Sequence, residues 1–145
     1  MNKLKKIILF TFLLVGMQQI TSQNYKFLAT GFTVSEKNGK GQWSKWSDLE
    51  KTSIIITVDT KKDRIIIYSQ EIQLYKIVNY EKVEENENGK IYPFTCSDED
   101  GQPFTISIIM RKDQDNRKQL YVKHKNAIIA YNIETYNDEV KKLGH

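Results

Sequence analysis

Alternation of apolar and polar residues in short runs is the feature that most constrains the fold of this chain. After residue 24, apolar residues recur mostly at every second position, in runs separated by turn-forming residues. This period is typical of strands that bury one face, and regularly spaced short strands indicate an all-β sandwich or barrel. The predicted strands cover residues 25–34, 53–59, 64–69, 71–80, 91–96, 103–110, 118–123 and 127–133.

The hairpin in "IIITVDTKKDRIIIY" has a register that the sequence itself specifies. A tight turn at residues 61 and 62 pairs Asp59 with Arg64, which is a favourable cross-strand charge pair. This register predicts a core face of Ile54, Ile56, Val58, Ile65 and Ile67. The reverse face is more apolar than a solvated sheet face needs to be, so we expect it to be covered; it carries Ile55, Thr57, Ile66 and Tyr68.

A second hairpin is predicted in "YPFTCSDEDGQPFTISI". Residues 98–101 suit a type I turn followed by a left-handed glycine, Gly101. The last hairpin turns near residues 124–126, through a loop of either two or three residues. We therefore predict about eight short antiparallel strands in a meander, as a small barrel or a two-sheet sandwich, and the sequence leaves that choice open. The face predicted for the second hairpin carries Tyr92, Phe94, Cys96, Phe104, Ile106 and Ile108.

The N-terminal 22 residues have the layout of a secretory signal peptide. Three lysines precede an apolar run at 7–15, and a polar stretch follows at 18–22. The apolar run is much shorter than the roughly 20 residues that span a bilayer, so a membrane anchor is not expected. We predict export, to a periplasm or out of the cell, with cleavage after Ser22.

Without this segment the chain is nearly neutral. Three of its 22 Lys and Arg residues lie in the signal, which leaves 19 against 18 acidic residues. The remaining charges are mixed in sign along the sequence, and nucleic acid binding needs a basic face, so no nucleic acid partner is expected. We predict one domain at 23–134 and a tail at 135–145, which is expected to be mobile.

The string W-S-x-W-S at residues 43–47 resembles the motif of class I cytokine receptors. In that family it lies late in a fibronectin-type domain, whereas here it precedes most of the strands, and the disulfides of the family's partner domain are absent. Thrombospondin type 1 repeats use a similar spacing but require cysteines, and Cys96 is the one cysteine of this chain. The sequence therefore assigns the chain to neither family.

Gly41, Gln42 and Trp43 resemble the G-x-W near the start of lipocalins, where the tryptophan plugs one end of a barrel. This resemblance implies a barrel that holds a small ligand, although a predicted strand already precedes the motif here. From the residues alone we favour another interpretation. Trp43 and Trp46 lie on one side of a helical turn and cover the apolar reverse face of the first hairpin. Burial of this kind predicts a cost of about 3–5 kcal/mol for Trp43→Ala.

Catalytic and metal-binding constellations are not evident in the sequence. Cys96 falls on a predicted buried face, where a thiol is inert, and His124 is the one histidine inside the predicted domain. The acidic run at 98–100 suits a turn better than a calcium loop, because the further ligands such a loop needs are missing. We therefore expect no enzyme activity, no metal and no cofactor.

These observations predict a small exported binding or interaction module. In one hypothesis the core is filled and Trp43, Trp46, Tyr75 and Tyr121 contact a protein or glycan from the surface. In the alternative, a lipocalin-like barrel holds a small apolar ligand inside. Its lining would include Phe94, Phe104 and Ile106 together with Ile54, Ile56, Ile65 and Ile67.

Overall fold

The computed structural model describes residues 24–136, and these residues form an antiparallel β-structure. The predicted all-β class is confirmed, because strands make up most of this range and its one helical element is a 3₁₀ turn at Lys112–Gln114. The strands are β1 (Asn24–Glu36), β2 (Glu50–Asp59), β3 (Arg64–Ile67), β4 (Gln73–Tyr80), β5 (Glu84–Asn86), β6 (Gly89–Ser97), β7 (Pro103–Arg111), β8 (Arg117–His124) and β9 (Ala127–Thr135).

One sheet contains all nine strands and closes into a ring. Its order is β4-β3-β2-β1-β9-β8-β7-β6-β5, and a further pairing of β4 with β6 joins the two ends. The strands are therefore wound as a meander around a barrel, with β5 as a short extension beside β6. Ring closure answers the question that the sequence left open between barrel and sandwich.

The core fills the inside of this ring. It is one cluster of buried side chains, and Phe27, Ile56 and Ile106 are among the large members that are at most 2% exposed. Both predicted hairpin registers are confirmed, since Asp59 pairs with Arg64 and Phe94 pairs with Ile106. The inward faces of these hairpins are the faces predicted to be core.

The structure adds detail at three places where the sequence predictions were open or incomplete. The last hairpin uses the two-residue loop, because His124 pairs with Ala127. The acidic stretch before β6 contains β5, which no predicted strand covers, and the carboxylate of Glu85 in β5 lies 2.8 Å from Nζ of Lys112. The predicted signal peptide lies outside the described residues, as does most of the predicted tail. Strand β9 runs through Thr135, one residue beyond the predicted end of the domain.

Five tyrosines belong to the barrel core, and their burial predicts that the protein is less stable at alkaline pH. Burial raises the pKa of Tyr25 and of Tyr75 to about 12, whereas a tyrosine in an unfolded chain ionises near pH 10. Between these values the unfolded chain loses protons that the folded chain keeps, so rising pH favours unfolding. We expect the free energy of unfolding to fall steadily from about pH 10 to about pH 12.

Denaturant titrations at a series of pH values test this expectation. Tyr75→Phe is the matched variant, because it keeps the ring and removes the titrating hydroxyl. Its stability should decline less steeply above pH 10 than that of the original chain. Identical slopes for the two proteins would contradict a buried, un-ionised Tyr75.

Within residues 24–136 no helix has the length and apolar character that crossing a membrane requires.

Candidate binding surface on the outer wall

A tight turn after β1 brings the W-S-x-W-S segment back along the same strand. The side-chain oxygen of Asn38 accepts hydrogen bonds from the backbone N–H groups of Lys40 and Gln42, at 2.8 and 3.0 Å. Gly41 takes a left-handed conformation there, with φ of 80°, which glycine adopts without strain. The chain therefore reverses within five residues, and Lys37 bridges to Trp43.

The two serines of the motif bind the edge of β1 that β2 does not reach. Oγ of Ser47 accepts a hydrogen bond from the backbone N–H of Val34 at 2.8 Å, and Oγ of Ser44 accepts one from Glu36 at 3.0 Å. In return, the N–H groups of Ser47 and Ser44 donate to the carbonyl oxygens of Val34 and Glu36. The serine hydroxyls thus accept the hydrogen bonds that backbone carbonyl groups accept in a regular sheet, and the segment stays extended.

Anchoring by the serines holds both indoles on the outer wall of the barrel. The ring of Trp46 meets that of Tyr121 on β8, with centroids 5.9 Å apart and an edge-to-face angle of 65°. Ala130 of β9 pairs with Tyr121 and points outward, yet it is only 5% exposed and lies outside the core cluster. The loop therefore covers this part of the wall, while Trp43 and Trp46 remain 39% and 46% exposed.

Cationic side chains surround these aromatic rings. Nζ of Lys37 and Nζ of Lys123 lie 5.6 and 5.9 Å from the centroid of the Trp43 ring, within the range of cation–π attraction. Arg111 donates hydrogen bonds to the hydroxyl of Tyr121 at 3.2 Å and to the amide oxygen of Gln119 at 2.8 Å. These partners are neutral, and no carboxylate of residues 24–136 forms an ion pair with Lys37, Lys123 or Arg111.

We call this region the tryptophan surface: Trp43, Trp46 and Tyr121 with Lys37, Lys123 and Arg111. Three of the four residues predicted as contacts come together on it. Its cations were not foreseen, because they come from the ends of three different strands and no local spacing links them. The serines did offer a signal, since each tryptophan is followed by a hydroxyl, but a spacing of three residues also suits one side of a helical turn, which is the interpretation that the sequence favoured.

The predicted packing of the tryptophans is wrong in two respects. The segment is extended where a helical turn was expected, and its indoles lie over β8 and β9. They do not cover the reverse face of the first hairpin, which remains open around Ile55 and Ile66. The cause is the pair of serine anchors, which direct the loop along the far half of β1.

Tyr75 was predicted as a surface contact and is instead buried inside the barrel. It is 5% exposed, its ring centroid lies 4.9 Å from that of Phe104, and its hydroxyl donates to Gln73 at 2.7 Å. The predicted strand began two residues too early, at Glu71. Tyr75 nevertheless lies directly opposite Ile65 of the core face, and that pairing fixes its inward direction.

The groups that the sequence analysis considered for chemistry, Cys96, His124 and the acidic turn, are held by packing and hydrogen bonds within the fold. Cys96 is 1% exposed, and burial raises the pKa of its thiol to about 12. The ring of His124 stacks on Phe104 at 4.3 Å, and its Nδ1 lies 2.8 Å from the carbonyl oxygen of Pro103, to which it donates. Asp98 accepts the N–H groups of Asp100 and Gln102 in the predicted turn. Among residues 24–136 no three His, Cys, Asp or Glu side chains are grouped to hold a metal ion.

Comparison of the chain with protein-family models, with curated proteins and with solved structures gives no match.

The serine anchors predict a measurable loss of stability when a hydroxyl is removed. Ser47→Ala leaves the N–H of Val34 without its partner, and we expect a loss of about 0.5–1.5 kcal/mol in the free energy of unfolding. Ser47→Thr keeps the hydroxyl and is the matched control, with a smaller loss. Urea denaturation of the three proteins decides this point, and equal losses for both variants would contradict the anchoring role.

Proposed function

We propose that this chain is a small exported binding module without catalytic activity, and that it binds a protein partner through the tryptophan surface. The observation that carries the proposal is the assembly of Trp43, Trp46 and Tyr121 beside Lys37, Lys123 and Arg111 on one wall. Tryptophan, tyrosine and arginine are the residues that dominate the binding energy of protein interfaces.

The charge of the surface indicates the chemistry of the partner. The lysines and Arg111 contact aromatic rings and neutral groups, so their charge remains available to a ligand. A partner with carboxylates opposite these cations gains electrostatic steering and specificity, while its apolar side chains contact the indoles. We therefore propose a partner with an acidic rim around an apolar centre.

The filled interior supports a surface function over a ligand held inside the barrel. Phe27, Ile56, Ile65, Ile67, Ile106 and Leu120 are at most 2% exposed and belong to one core cluster. Five buried tyrosines belong to the same cluster: Tyr25, Tyr75, Tyr80, Tyr92 and Tyr131. Side chains of this size occupy the space that a lipocalin-like ligand would need.

Mass spectrometry of the protein isolated from its native host tests the proposal. Under native conditions we expect the chain with a protein partner attached, and under denaturing conditions the chain and the partner separately. The same isolation of the Trp46→Ala variant should recover the chain without that partner. A retained small molecule that is released on denaturation, with no protein partner, would contradict the proposal and favour the ligand barrel.

A further inference from the structure

A concave region lies on another part of the outer wall, over the first half of β1, and is separate from the proposed partner surface. It is a groove of about 520 Å³ across β1, β2 and β3, within the range of small-molecule sites. The outward side chains of Ile55 and Ile66 form its apolar part, and Tyr68 borders it with 44% exposure. This is the reverse face of the first hairpin, which the sequence predicted to be covered.

Arg64 gives the groove a polar group without a partner. Its neighbours Ile65 and Ile67 point into the core, so Arg64 points outward into the groove. Its Nε is buried and has no hydrogen-bond partner, and no residue of 24–136 forms an ion pair with its guanidinium. A charged donor that is covered without an acceptor is unfavourable, so a ligand that covers Arg64 must supply an acceptor to its guanidinium.

The carboxylate of Asp59, across the strand from Arg64, does not form an ion pair with the guanidinium. Asp59 pairs with Arg64 across the two strands, but its Oδ1 accepts the backbone N–H groups of Lys61 and Lys62 in the turn, both at 3.1 Å. On the other side Arg64 pairs with Lys76 of β4, which carries a like charge. The guanidinium is therefore left facing the groove.

The charge of the lining matches a ligand with one negative charge. Two cations, Lys26 and Arg64, line the groove with one carboxylate, Asp59, so one positive charge is in excess. Lys26 is also held in place, since its Nζ lies 5.5 Å from the centroid of the Tyr136 ring. A planar carboxylate is a good match for a guanidinium, because two parallel hydrogen bonds can form between them.

We propose that this groove binds a small amphiphile with a carboxylate head and an apolar chain. The carboxylate contacts Arg64, and the chain lies on Ile55 and Ile66 beside Tyr68. The groove uses the first half of β1 with β2 and β3, whereas the tryptophan surface uses the second half of β1 with β8 and β9. The two sites can therefore be tested separately.

Calorimetric titration of the purified protein with decanoate, below its aggregation concentration, tests the proposal. We expect saturable binding at one site, and weaker binding of decanol, which has the same chain without the charge. Arg64→Gln should weaken decanoate binding about ten- to hundredfold, the range for a hydrogen bond to a charged group. Lys76→Gln removes a neighbouring cation that does not line the groove, and it should leave the affinity unchanged.

Several outcomes would overturn the proposal. Absence of decanoate binding, equal affinity for decanol, or equal loss in the Arg64 and Lys76 variants would each exclude recognition of a carboxylate by Arg64. Binding of the protein to oleate-containing vesicles without binding of dissolved decanoate would indicate a membrane surface instead. Amide chemical shifts should move at Thr57 and Ile66 on titration, and shifts confined to Trp46 and Tyr121 would also contradict it.

Discussion

Trp46→Ala is expected to lower the affinity for the proposed protein partner by at least about thirtyfold, which corresponds to about 2 kcal/mol, the threshold of an interface hot spot. The reason is that Trp46 combines 46% exposure with a fixed position against Tyr121. A large rigid ring that is already ordered loses little conformational freedom on binding. The free energy of unfolding should change by no more than about 1 kcal/mol, as at other exposed positions.

The matched control for this variant is Ile72→Ala. Ile72 is 67% exposed and lies in the turn between β3 and β4, away from the tryptophan surface. Surface plasmon resonance with the isolated partner should show an unchanged affinity for this control. If both variants bind as the original chain does, or if Trp46→Ala unfolds the protein, the proposed role of Trp46 is wrong.

Phe27→Ala is expected to lower the free energy of unfolding by about 3–5 kcal/mol. Phe27 is 2% exposed and points from β1 into the centre of the barrel. In a filled core the neighbours cannot close the space that the ring leaves. The loss therefore includes the hydrophobic transfer free energy of the ring and the cost of the cavity that remains. In a barrel with room for a ligand, that ring would border open space and its removal would cost less.

The adjacent residue provides the comparison. Leu28 points to the outer wall and is only partly buried, so Leu28→Ala should cost clearly less than Phe27→Ala. Urea denaturation of both variants measures the difference. A loss below about 1.5 kcal/mol for Phe27→Ala would contradict a filled interior and would favour the ligand barrel.

Local patterns predicted the inward faces of the two hairpins whose register the sequence specifies. The pairing of Asp59 with Arg64 follows from a short turn between two alternating runs, and a one-residue slip would have exposed the isoleucines. Closure of the ring did not follow from any such pattern. It depends on pairing between β4 and β6, whose ends are separated by β5 and a turn, and on pairing between the first and last strands.

The candidate site could be predicted only in part, because it too depends on pairing between distant strands. The aromatic residues were identifiable individually, because both tryptophans of the chain fall within one short segment, three residues apart. Their position was not, since it depends on hydrogen bonds that the N–H groups of β1 donate to the hydroxyl oxygens of Ser44 and Ser47. Arg111 and Lys123 join the site through the lateral order of β7 and β8, which is a property of the whole sheet. Sequence spacing carries no information on that order.

Site-specific photo-crosslinking in the native host tests the central claim most directly. A photoreactive amino acid is placed at Lys45, between the two tryptophans, and in a second protein at Ile72 as the control. We predict one discrete protein adduct from position 45, absent from position 72 and lost when Trp46→Ala is added. No adduct at position 45, or the same adducts from both positions, would contradict a binding function of the tryptophan surface.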